Sequence, residues 1–175
     1  AVHEKTEFQQ ALSNLSEYEV LEYMDGTCIR MYFHNGEWRF ATKGHTDANR
    51  AKWSSEKSFG VLFQEALAEY PDFSTTNLNR EYTYVFLLQH VDNKIICPVT
   101  KNSITLLEVY DNQTLTCVVP DQNLQTWFEP HYHCLFTNTN ELRTYLELSE
   151  ETHKGVYFRH KTSGTRFYVI CKNYQ

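Results

Sequence analysis

Nowhere in this 175-residue chain is there a run of about 18 apolar residues, so no membrane-spanning helix is encoded. The start, Ala1-Val2-His3-Glu4-Lys5, lacks the basic-then-apolar pattern of a secretory signal. The expectation is a soluble intracellular protein, cytoplasmic or nuclear, with no membrane partner. The five cysteines (Cys28, Cys97, Cys117, Cys134, Cys171) contain no Cys-x-x-Cys pair, and four lie in strand-like apolar runs where a thiol packs as a small hydrophobe. Reduced, structural cysteines are expected. Asn14-Leu15-Ser16 and Asn112-Gln113-Thr114 match the glycosylation pattern but have no export signal behind them. Cations are not in excess either: the net charge of −6 excludes a protein that coats nucleic acid indiscriminately, because phosphate contacts need positive charge. There is no internal repeat and no low-complexity segment.

What is present is core-forming material. With 41% hydrophobic and 15% aromatic residues, the chain suffices for a single domain over 1–175. Its charge is polarised. Residues 39–57 carry a balance of +3, and residues 154–172 carry Lys154, Arg159, Lys161, Arg166 and Lys172 with no acid, +5, leaving the remainder strongly acidic.

Phe8, Leu12 and Leu15 recur at helical spacing in 4–15, and Phe59, Leu62, Phe63, Ala66, Leu67 and Tyr70 in 55–70, where Pro71-Asp72 ends the second helix. Tyr18 to Lys43 reads as a three-strand meander around an Asp25-Gly26 turn and an Asn35-Gly36 hairpin. A second meander is expected from 82–88, 94–99 and 104–110. Residues 115–119 are strand-like, and Trp127-Phe128 anchors a loop. A helix starts near Asn138-Thr139-Asn140-Glu141, and 155–159 with 165–172 form a hairpin around Ser163-Gly164. Helices inserted between antiparallel meanders make an α+β fold, antiparallel sheets with flanking helices.

Within this pattern Tyr23-Met24-Asp25-Gly26-Thr27, then Thr42-Lys43-Gly44, then Tyr84-Val85-Phe86 with Asp92-Asn93-Lys94-Ile95-Ile96, then Lys154-Gly155-Val156-Tyr157, resembles the ordered motifs of the covalent nucleotidyltransferases. The likeness is to bacteriophage-type RNA ligases. The resemblance implies the RNA ligase adenylation fold and a nucleotide cleft, with Lys43 as a phosphate contact. It also implies what is missing. Where that family has its nucleophilic lysine this chain has Tyr23, where it has a ribose-binding glutamate Val85, where it has a metal-binding glutamate Lys154, and where it has paired lysines Val169 and Cys171, Lys172 falling one place late.

Adenylyl transfer needs an amine of lowered pKa, a metal and cations on the phosphate. The expectation is therefore a catalytically degenerate domain, with no confident catalytic residue, that either binds nucleotide and RNA without covalent chemistry or serves as a protein-interaction and assembly module. Binding would use Asp25, Gly26, Arg39, Lys43, Arg159, Arg166 and Lys172. ATP or AMP bound non-covalently is the cofactor this implies. The partners are single-stranded or tRNA-like RNA, or other protein subunits. The alternative is an active ATP-dependent ligase with a rewired site. His131-Tyr132-His133-Cys134 has no recognised zinc spacing, and no metal site is assigned. Trp38, Trp53, Tyr82, Tyr84, Trp127, Tyr157 and Phe158 are candidate base-stacking rings.

Overall fold

A computed structural model describes residues 2–52, 56–93, 99–128, 136, 138–148 and 155–170. In chain order the elements are helix α1 (Val2–Ser13), strands β1 (Tyr18–Glu22), β2 (Thr27–His34) and β3 (Glu37–Ala41), helix α2 (Phe59–Leu67), strands β4 (Tyr82–Gln89), β5 (Ser103–Asp111) and β6 (Cys117–Val118), helices α3 (Gln122–Trp127) and α4 (Thr139–Leu148), and strands β7 (Gly155–His160) and β8 (Arg166–Ile170). They fall into two compact units, one from Ala1–Met24 with His131–Gln175, the other from Asp25–Pro130. No helix among the described residues is long and apolar enough to cross a membrane.

The continuous unit is built on an antiparallel sheet of order β3-β2-β4-β5-β6. β2 alternates strictly, with Ile29 and Met31 buried and Cys28 and Arg30 outward, as a strand with one covered face requires. Its hairpin to β3 turns on Asn35 (φ 50°) and Gly36 (φ 83°), the left-handed pair that a tight two-residue turn demands. Tyr84, Phe86 and Leu88 of β4 continue the covered face, and Leu62, Phe63 and Ala66 of α2 pack on it. Ser58 caps α2 by accepting the Val61 amide, so the helix starts with the first apolar residue, Phe59, rather than at 55; the chain then tightens through Tyr70, whose amide donates to Leu67, before Pro71.

The other unit has the antiparallel order β1-β7-β8, with Tyr18 opposite His160 and Gly155 opposite Ile170. Ala11 of α1, Leu142 of α4, and Val20, Val156, Phe158 and Phe167 of the sheet form its core, with the Phe158 and Phe167 rings stacked at 4.8 Å. Asn138 caps α4 through the Glu141 amide, and Gly164 (φ 69°) closes the β7–β8 turn.

Three expectations need correction. Tyr18 to Lys43 is not one meander: β1 pairs with β7, while β2 pairs with β3 and β4. Gly26 explains why, since it is not among the positive-φ residues that a hairpin turn would need there. Secondly, β4 lies beside β2, so the two expected meanders merge into one sheet; the strand expected at 94–99 lies almost wholly outside the described residues. Thirdly, Trp127, expected with Phe128 in a loop, ends a helix over Gln122–Trp127 that Asp121 caps by accepting the Asn123 amide.

Candidate functional site

The face of the five-stranded sheet turned away from its core carries the chemistry. β2 contributes Cys28, Arg30 and Tyr32 to it, and β4 contributes Thr83, Val85 and Leu87. At its β3 side a groove of about 370 Å³ is lined by Arg30, Tyr32, Thr42, Lys43, His45 and Thr83, among others. The loop forming its rim is held by three bonds. The Arg30 guanidinium donates to the Thr42 carbonyl at 3.1 Å, the Thr42 amide to the His45 carbonyl at 2.9 Å, and the Tyr32 hydroxyl to the Thr46 carbonyl at 3.1 Å. Lys43 is exposed on that rim. A guanidinium, an ammonium and hydroxyls without a carboxylate among the described lining residues suit an anion such as phosphate better than a magnesium ion.

At the far end of the face the Asp25-Gly26 turn is clamped onto β4. Gln89 donates to the Asp25 carbonyl at 2.9 Å and itself accepts from Ser103, while buried Asn93 donates to the Thr27 hydroxyl at 2.9 Å. Gly26 packs against Leu87 and the Leu88 backbone, so the β4 side chain that adjoins the turn is Leu87, two residues along the same face from Val85. Both are apolar. Val85 instead sits between Arg30 of β2 and Glu108 of β5 in the pairing register.

Glu108 escaped sequence reasoning. Strict alternation from Ile104 and Leu106, which face the core, would send it inward too. A bulge in the β4–β5 pairing between Val85 and Phe86 breaks the alternation and turns Glu108 onto the opposite face, where it is buried and the Tyr110 hydroxyl donates to it. The Cys28 thiol nearby is pushed above its ordinary pKa, chiefly by desolvation, with Arg30 opposing and Glu108 reinforcing the shift.

Other expected residues fall elsewhere. Arg39 pairs with Glu37 at 2.8 Å and borders a separate concavity of about 400 Å³ with Trp38, Asp47 and Asn49, so Lys43 and Arg39 do not line one groove, although Tyr32 and Thr46 border both. In the other unit the Tyr23 amide donates to the Gly155 carbonyl at 3.1 Å and its ring stacks on Tyr168. Val169 points the opposite way, into the core beside Phe167. Arg159 donates to Glu19 at 2.7 Å and Lys161 to the Ser16 carbonyl at 2.8 Å, so acids and carbonyls near β1 offset part of the basic hairpin. Arg166 is exposed on it. Lys154, Cys171, Lys172, Trp53 and the 131–134 cluster lie outside the described residues.

One group of metal-ligating side chains occurs among the described residues, Glu65, His90 and Asp92. Lys57 already bridges its two carboxylates at 3.0 and 3.1 Å. His90 Nδ1 accepts the Asp92 amide, so its proton sits on Nε2, 2.9 Å from Glu65. An ammonium and an N–H fill the place a metal would need.

No protein-family model matches the chain. It is 30% identical over 99 residues to an RNA ligase of Rhodothermus phage RM378, covering 52% of this chain and 22% of that one. It is 26% identical over 98% of its length to an immediate-early protein ICP-46 homolog of Invertebrate iridescent virus 3, of which it covers 40%. The chain thus spans well under half the length of these relatives. Among solved structures, a Naegleria gruberi RNA ligase with PPi superposes with a TM-score of 0.59 at 11% identity over 95% of this chain and 54% of that one. A putative ATP-dependent DNA ligase from Aquifex aeolicus gives 0.60 at 10% identity, over 90% and 44%. The likeness to both structures is one of fold.

Proposed function

The chain is a relative of the RNA ligases with a nucleotidyltransferase fold, and from that premise we propose that it binds nucleotide and RNA without forming a covalent nucleotide adduct. Tyr23 carries this reading. At the position where the family resemblance places the reactive lysine stands a phenol, its amide tied to Gly155 and its ring laid on Tyr168. A phenol, with an ordinary pKa of about 10, offers no lone pair comparable to that of an activated amine near neutrality.

Binding is supported by the groove at Arg30, Lys43 and His45, whose cations and hydroxyls suit phosphate oxygens. Leu87 beside the Asp25-Gly26 turn cannot accept a hydroxyl hydrogen bond.

Intact-mass measurement after incubation with ATP and Mg²⁺ is the test. The expected result is an unchanged mass together with saturable ATP binding that Lys43→Ala weakens. A stable species one AMP heavier overturns the reading in favour of an active ligase. A defined oligomer that ignores Lys43→Ala and Arg166→Ala, with no affinity for ATP or RNA, overturns it in favour of an assembly module.

A further inference from the structure

The three-stranded unit carries an aromatic pair that the phosphate groove does not use. Tyr23 continues β1 by one residue, and its ring lies on Tyr168 of β8 with centroids 5.2 Å apart and planes 28° from parallel. The two strands are not neighbours, for β7 runs between them. The β7 residue whose carbonyl takes the Tyr23 amide is Gly155, which has no side chain to separate the rings. Tyr168 remains 46% exposed, although Phe167 and Val169 on either side of it point into the core. Arg166, two residues along the same face, is exposed as well. From Gly155 to Ile170 the hairpin carries Arg159, Lys161 and Arg166 and no carboxylate.

We propose that Tyr23 and Tyr168 form a stacking platform for one unpaired nucleobase of a single-stranded RNA, with Arg166 attracting the adjoining phosphate. This rests on the RNA-binding reading above and names where an RNA base is held. Two stacked rings form a flat surface whose ordering is already met by the sheet register and the Tyr23–Gly155 bond, so a base that lands on it immobilises little more. Every base has a π-face, so such a surface is tolerant of sequence, and a neighbouring guanidinium supplies the charge that the phosphate backbone requires. A protein partner would favour a broader apolar surround; although Arg159 is paired with Glu19, the exposed Arg166 and Lys161 leave this hairpin with cations that favour a polyanion. Of the other rings that sequence alone suggested, Trp38, Tyr82, Tyr84 and Trp127 pack in one core and Phe158 in the other, Tyr157 lies opposite Tyr168 on the same face, and Trp53 is outside the described residues.

The test uses a short fluorescein-labelled oligouridylate and a matched oligomer with abasic sites, each titrated against the whole chain. Tyr168→Ala and Tyr23→Ala should each weaken oligouridylate binding about tenfold. Tyr168→Phe should leave it unchanged, and the abasic oligomer should bind wild type and the alanine variants alike. Circular dichroism of Tyr168→Ala, a change at an exposed ring, checks that the fold persists. Equal affinity of Tyr168→Ala and wild type for oligouridylate overturns the platform while leaving RNA binding intact. If the wild type binds no oligonucleotide at all, the function proposed above falls first. A dimer dispersed by Tyr168→Ala, with no oligonucleotide binding, makes this face a protein interface and overturns the proposal.

Discussion

Gly26 approaches the Leu88 backbone so closely that a Cβ on it would lie 2.7 Å from the Leu88 carbonyl oxygen and 2.9 Å from Leu87 Cγ. The first contact is with backbone of a central strand, which cannot swing aside. Gly26→Ala should therefore destabilise the protein by about 1–3 kcal/mol, as overpacking does. A urea midpoint equal to that of wild type would show that the turn has room the geometry denies.

Asn93 and Thr27 tie the end of β4 to the start of β2 through a bond that is almost wholly buried on the Asn93 side. Asn93→Ala leaves the Thr27 hydroxyl without this donor and should cost about 1–3 kcal/mol. A double-mutant cycle with Thr27→Val isolates the pair, and a coupling energy near zero would mean that Asn93 matters only through other contacts.

Stability should respond to pH at both ends through Lys57. Its ammonium is held above the ordinary value by hydrogen bonds to Glu65 first and Asp92 second, and the Glu65 carboxyl is held below its own, chiefly by Lys57. The Glu65 contribution is complete above the ordinary carboxylate pKa and is lost as pH falls through the depressed value. The Lys57 contribution is complete below the ordinary ammonium pKa and is lost as pH rises through the elevated value. Melting temperatures of wild type and Lys57→Met should differ most between those limits and converge outside them. Because the cluster is open to solvent, the difference should shrink with added salt. A gap independent of pH would assign the effect of Lys57 to packing of its stem.

Phe128, just beyond α3, is 4% exposed and meets the rings of Tyr70, Phe73 and Phe86 at 5.3, 4.9 and 5.0 Å. Phe128→Ala should cost about 3–5 kcal/mol. Calorimetry that finds less than about 1 kcal/mol would mean the segment holding α3 is not part of the cooperative core.

If the rim lysine contacts phosphate, Lys43→Ala should lower the salt slope of single-stranded RNA binding by about one, with sequence preference unchanged. Arg166→Ala should do the same. An unchanged slope in both would remove these two cations from the interface.

Local chemistry was legible in the chain wherever it governs local structure. The Asn35-Gly36 hairpin, the amphipathic α2 and the Ser163-Gly164 turn each announce themselves through a turn residue or a period, and each is found. Strand partnership was not, because nothing within Tyr18–Glu22 says that its mate lies beyond residue 154. The same blindness affected charge: counting residues 154–172 alone made a bare cationic hairpin, while Glu19 waits on the adjacent strand. Glu108 was hidden for a third reason, since a bulge leaves no mark on an apolar run. At the site, Lys43 and the Asp25-Gly26 turn carry recognisable spacing, but that Arg39 turns to Glu37 is decided by side-chain reach.

The pairing of Glu19 with Arg159 spans 140 positions. A ribosome releasing this polypeptide would have delivered every strand of the five-membered sheet, through Val118, well before β7 emerged. Until then β1 has no mate, and Val20 remains a greasy, unzipped edge in the nascent protein. Chaperone capture during synthesis should therefore concentrate on the segment Tyr18–Glu22.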